Sequence, residues 1–187
     1  CALNAAECAA LQQVVNWADA LVCIERAGAN IQGRYLTMRQ RDMSHIVPPL
    51  ELAFLGTTAR VPGATSLYSA AIGDGGNEVG MGTVGREIAG SSIPAKETIA
   101  CVTPVDHLLV SSVSNWGGYA VAAALAVAAH AAACHDRGRN ASARLCLRST
   151  LDVCLVSRDD EVRKLQACVD VGARDGVVGR EEDALVS

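Results

Sequence analysis

Apolar residues fall along the chain in two patterns, short unbroken runs and longer stretches with a helical period, and the runs close in polar turns. Ala20 to Ile24 is the first run, ended by Glu25-Arg26-Ala27-Gly28. A continuous run of this length predicts a buried strand of a parallel sheet, with its C-terminal end opening into a polar loop. Ser66 to Ile72 predicts a second strand, Thr98 to Val102 a third and His107 to Val113 a fourth, the last closing in Ser114-Asn115-Trp116-Gly117-Gly118.

Helical segments lie between these runs. Residues 4 to 16 carry Ala9, Val14 and Val15 among good helix formers. Pro48 and Pro49 begin a helix reaching about Thr58, with Leu50, Phe54 and Leu55 as its stripe. A third helix is expected over roughly 79–89, an alanine-rich one from Tyr119 to Cys134, and one from Arg158 to Val171 with Gly172 as its C-cap. Strand, glycine-bearing turn and helix occur twice, which predicts an α/β fold with a mostly parallel, Rossmann-like sheet and helices on both faces. Both turns then open on one edge of the sheet, which brings Asn115 toward Asp74. Residues 135–156, with Arg137, Arg139, Arg144 and Arg148 and no period, read as a mobile surface loop inside a single domain spanning 1–187.

Composition adjusts this picture in few places. Half of the 187 residues are hydrophobic and only 3% are aromatic, so the core is built from Ala, Val, Leu and Ile, as suits helices on a parallel sheet. A net charge of -4 argues against a nucleic-acid partner. The least charged stretch, Leu108 to Ala129, is broken by Ser111, Ser112, Ser114, Asn115, Gly117 and Gly118 and is not read as a membrane span. The eight cysteines form no Cys-x-x-Cys pair; they read as small buried hydrophobes in a reducing compartment, without zinc.

The densest chemistry lies in Ala71 to Gly82, where five glycines surround Asp74, Asn77 and Glu78. Glycine admits positive φ and lets a ligand approach bare main-chain amides. Gly-Asp-Gly-Gly-Asn-Glu matches neither Gly-x-Gly-x-x-Gly nor a Walker loop with its lysine, and its acids repel phosphate unless a metal intervenes. The residues alone therefore point to an acidic small-molecule site at the strand ends. A metal-dependent nucleotide-binding domain is a competing reading.

Four segments in order, Ile24 to Gly28, Gly73 to Gly82, Ser114 to Tyr119 and Arg174 to Gly179, together with Arg41-Asp42-Met43-Ser44-His45, resemble the D-glutamate cyclase family. The likeness covers about residues 18–134 and 157–183. It implies intramolecular dehydration of D-glutamate to 5-oxo-D-proline, and a sheet incomplete at its N-terminal edge, since family members carry a further N-terminal α/β portion. It also implies the mitochondrial matrix in a eukaryote or the cytoplasm in a microbe. A catalytically silent binding or oligomerisation module derived from the family is the alternative.

That chemistry needs a group to hold and deprotonate the ammonium, a cation for a substrate carboxylate, and donors or a metal for the γ-carboxyl. Asp74 is the expected base, with Glu78 binding the ammonium or, together with Asp74, a divalent cation such as Mg2+ or Mn2+; Asp74 capping the next helix is the competing role. Asn77 either donates to the oxyanion or fills a left-handed turn position. Arg26 is expected as a carboxylate clamp, or else as a salt-bridge partner of Glu25. Glu25, Asp42, His45, Asn115 and Asp175 complete the expected substrate shell. The amides of Gly75 and Gly76 and the dipole of the following helix are offered to a substrate carboxylate. No organic cofactor is expected; the partners are D-glutamate and, for assembly, a second copy of the chain, with no nucleic acid or membrane.

Overall fold

The computed structural model describes residues 2–55, 67–136 and 156–173. Two compact units make up the chain, 1–120 and 121–187, and the first holds the sheet. Three parallel strands, β1 (Ala20–Ile24), β2 (Tyr68–Gly73) and β3 (His107–Val110), lie in the order β1-β2-β3, the α/β class expected.

Helix α1 (Ala5–Trp17) precedes β1 and opens with a capping box, in which the Glu7 amide donates to Asn4 Oδ1 at 3.0 Å and the Asn4 amide donates to Glu7 Oε2 at 2.8 Å. A single helical turn, α2 (Leu52–Leu55), lies before β2. The register sets Cys23, Ala71 and Leu108 side by side on one face. Cys23 and Ala71 there form a core with Val79 and Val105, against which Phe54 and Leu108 pack. Val15, Ala53 and Leu67 continue that core, with Leu11 and Leu21 against them. On the opposite face the buried Ile72 meets the first turns of α5 (Ser114–Asp136). A Cβ on Gly117 would fall 2.6 Å from Ile72 Cγ2, so glycine is what lets this helix come so close to the sheet.

Four expected elements differ. The helix expected to begin at Pro48 starts at Leu52, and residues 114–118, expected as a turn, already belong to α5. Thr98 to Val102 is not a strand: α4 (Lys96–Ile99) occupies its start, and the Cys101 and Val102 amides donate to the Gly76 and Ala29 carbonyls, outside the ladder. The helix expected over 79–89 is delayed, because the Val79 amide is spent on Arg26 O and the Gly80 amide on Thr103 O. A 3-10 turn over Gly82–Val84 leads only then into α3 (Gly85–Gly90). The second unit contains the rest of α5 and α6 (Arg158–Asp170), whose end is marked by Gly172 in the left-handed region (φ +89°), as expected of a C-cap glycine. The loop expected over 135–156 lies largely outside the described residues.

Two glycines beside the turn are predicted to respond oppositely to alanine. A Cβ at Gly82 would fall 2.3 Å from the Val102 carbonyl oxygen, against main chain that cannot swing away, whereas Gly85 has open space around it within a helix. Gly82→Ala is expected to cost about 2–3 kcal/mol in urea denaturation, and Gly85→Ala to be neutral or to gain about 0.5–1 kcal/mol.

Candidate functional site

The C-terminal ends of β1 and β2 carry three carboxylates, and the main chain explains why they meet. Strand β1 runs into Glu25, a non-glycine residue in the left-handed region (φ +55°), whose amide donates to Ile72 O at 3.0 Å. The next residues pair antiparallel with the glycine-rich turn: the Gly28 amide donates to Asn77 O, the Val79 amide donates to Arg26 O, and Ala27 bridges Glu78. This pairing brings Glu25 to the turn that β2 feeds. The carboxylate oxygens of Glu25, Asp74 and Glu78 lie within 4.8 Å of one another, a spacing suited to one divalent cation or one ammonium group.

Glu78 is the fixed member. It is buried, its Oε1 accepts the Gly75 amide at 2.9 Å and its Oε2 the Gly76 amide at 2.7 Å. Gly76 sits at φ +104°, which aims its amide inward and which glycine alone adopts without strain. Asp74 is more open to solvent, yet the loss of water around its carboxyl, the charges of Glu25 and Glu78 and a hydrogen bond with Glu78 raise its pKa to about 6. Such a group changes protonation near neutrality, as proton transfer requires.

A cavity of about 260 Å³ opens beside Asp74, lined by Gly76, Met81, Val84, Glu87, Ile88, Ser91, Ile93 and Val110. Its walls are almost wholly apolar. Spacing alone did not reveal it, although Met81, Val84, Ile88 and Ile93 recur at near-helical intervals.

Several of the other expected site residues have partners of their own. The amides of Gly75 and Gly76 are taken by Glu78 and the α-helix starts only at Gly85, so helix-end amides do not face the turn as expected. Asp74 does not cap that helix, whose N-cap is Val84 with no side-chain bond. Asn77 donates from Nδ2 to Leu36 O at 2.8 Å, buried, which ties the 30–45 segment to the turn. Arg26 Nη2 donates to Pro48 O at 2.6 Å, in place of a bridge to Glu25, and its buried Nε has no partner. Asp42 is exposed and paired to Arg34 at 2.8 Å, and hydrogen bonds from Ser44 and Arg34 hold its carboxyl well below the usual range. His45 is exposed in a turn, and Asn115 is exposed in the first turn of α5, past the end of β3. Asp175 lies outside the described residues.

Tyr35 and Glu51 are the polar pair that spacing did not reveal. The Tyr35 hydroxyl donates to Glu51 Oε1 in the core, and Glu51 Oε2 is buried without a partner. Burial and that bond push the Tyr35 pKa up. Cys23 and Cys101 are buried thiols, with Cys23 raised to about 11 chiefly by loss of water, so neither is set up as a nucleophile. Cys8 and Cys168 are exposed free thiols, against the expectation of burial for all eight; both lie on helices, where a small side chain is tolerated on either side. No helix among the described residues is long and apolar enough to cross a membrane.

The family model described as "D-glutamate cyclase-like, C-terminal" matches residues 2–185. The chain belongs to this family. It is 43% identical over 107 residues to the human protein named "D-glutamate cyclase, mitochondrial", a match covering 57% of this chain and 17% of that protein. The D-glutamate cyclase-like chain thus spans less than a fifth of that relative, and its acid cluster lies within the part matched by the family.

The raised pKa of Asp74 carries a stability consequence. Below about pH 4 both folded and unfolded states hold the proton; as pH rises toward 6 the unfolded chain releases it first, so folding stability declines across that window. Asp74→Asn removes the penalty. Its stability relative to the parent chain is expected to be greater at pH 8 than at pH 4 by about 1 kcal/mol, the full shift being discounted for exposure, as read by urea denaturation at the two pH values.

Proposed function

We propose that this chain carries out the chemistry named for its relative, cyclisation of D-glutamate to 5-oxo-D-proline with loss of water, a hydro-lyase reaction. The observation that carries the reading is the meeting of Glu25, Asp74 and Glu78 within 4.8 Å at the ends of adjacent strands. Free glutamate brings an ammonium nitrogen that must shed two protons, and a γ-carboxylate oxygen that must gain two to leave as water. One carboxyl with a pKa of about 6 suits both transfers, accepting a proton as the nitrogen attacks and returning it to the departing oxygen.

In this scheme the fixed Glu78 and the exposed Glu25 hold the ammonium and Asp74 moves the proton. The same three oxygens could hold a divalent cation, Mg2+ or Mn2+, which would polarise the γ-carboxyl when bound. Asn115, past the end of β3, serves as a substrate contact. Asn77 and Arg26 act as positioning residues, since their side chains hold the segments around Leu36 and Pro48. An organic cofactor has no part in the reaction.

The test is incubation of the purified chain with D- and L-glutamate, with magnesium, manganese or chelator, followed by chiral detection of 5-oxoproline. D-glutamate is expected to be converted, and Asp74→Asn to lower kcat by at least about 10²-fold. Near-normal turnover by Asp74→Asn ends the base assignment. No product from folded protein under any condition rejects the enzyme reading in favour of a silent binding module.

A further inference from the structure

The acid cluster accounts for the amine and the reacting carbonyl of a substrate, and it leaves the apolar cavity beside Asp74 without a use. A leaving hydroxyl needs room for one water, about 30 Å³ in the liquid, and an apolar cavity of about 150 Å³ already takes benzene. This one measures about 260 Å³. Its lining contains two carboxylates, Asp74 and Glu87, and no lysine or arginine, so a carboxylate of glutamate is repelled from it. Lys96, which approaches its Ser91 wall, is engaged with the Ser91 main-chain oxygen. Met81, Val84, Ile88 and Ile93 instead offer surface to a neutral hydrocarbon group.

Asp74 and Gly76 belong both to the cavity wall and to the acid-bearing turn. A group seated in the cavity therefore lies beside Asp74, the residue that in the proposed reaction returns a proton to the departing atom. We infer that the chain also cyclises γ-D-glutamyl N-alkyl amides, with the alkyl group of the departing amine seated in this cavity. The α-nitrogen bonds to the γ-carbon and the bond from that carbon to the amide nitrogen breaks. The two protons shed by the attacking nitrogen end on the leaving one, giving 5-oxo-D-proline and an alkylammonium ion with atoms and charge in balance. No oxidant, reductant or further reactant enters. The inference rests on the cyclase reading of the acid cluster and names a substrate class beyond free D-glutamate.

The test uses the purified chain with D-glutamate and with its γ-methyl, ethyl, propyl and butyl amides, measuring released amine and 5-oxoproline. Turnover of the amides is expected, with kcat/KM rising two- to fourfold for each added methylene as it leaves water for an apolar wall. Val84→Phe, which fills the cavity from its half-buried wall, is expected to lower the butylamide rate at least tenfold relative to the D-glutamate rate. Turnover of D-glutamate with no amide turnover, or rates flat across the alkyl series, overturns the inference while leaving the cyclase reading in place. Failure on D-glutamate and every amide alike overturns both. Amide turnover without D-glutamate turnover upholds the cavity's role and rejects the free acid as substrate. The alkyl series on the parent chain decides the matter by itself if Val84→Phe does not fold.

Discussion

The main-chain pairing of residues 26–28 with 77–79 is the constraint on which the rest of the site depends. It converts two loops at neighbouring strand ends into one rigid shelf, with the Val79 amide on Arg26 O and the Gly28 amide on Asn77 O. Glu78 is thereby locked in place, buried with both oxygens on the Gly75 and Gly76 amides. Loss of water around Asp74, together with the charges of Glu25 and of this fixed carboxylate, raises the Asp74 pKa. The same shelf displaces the helix that would otherwise begin at Val79, and its outer side, from Met81 to Ile93, becomes the cavity wall.

Such a site is built against local preference. Glu25 takes a left-handed conformation that bulky residues rarely adopt, Asp74 is held among like charges, and Gly82 lies where any side chain would strike the Val102 main chain. Strained backbone and a perturbed carboxyl falling together at the open end of a parallel sheet is the pattern expected of a place where chemistry is done. The Arg26 side chain ties the 35–51 segment to the end of β1 through Pro48 O, and within that segment the buried Tyr35 and Glu51 are bonded to each other.

Much of the fold could be read from the chain, since a local signal sufficed for it. The run Ala20 to Ile24 has the bounds of β1, and Gly172 stands just past the end of α6. Thr98 to Val102 misled for a physical reason: Ile99 and Cys101 are buried, Cys101 with Met81 and Ile88, and burial there looks like burial in a sheet. Among the site residues, Asp74 and Glu78 were legible because five glycines mark their turn. Asp42 is held in an ion pair with Arg34, a local contact that a list of charged residues does not reveal.

By itself the sequence determined the class of the fold, the strand ends at which a site could form, and the acidic character of the main turn, because each follows from residue types within a few positions of one another. Tertiary structure decided the rest. Glu25 joins Asp74 only because β1 lies parallel beside β2, the Gly75 and Gly76 amides go to Glu78 because the turn folds back on itself, and the cavity exists because α3 is held off the turn by bonds to Arg26 and Thr103. The meeting of Glu25 with Asp74 and the bonds to Arg26 and Thr103 join residues far apart in sequence, and their energies depend on distance and exclusion of water, which no local pattern encodes.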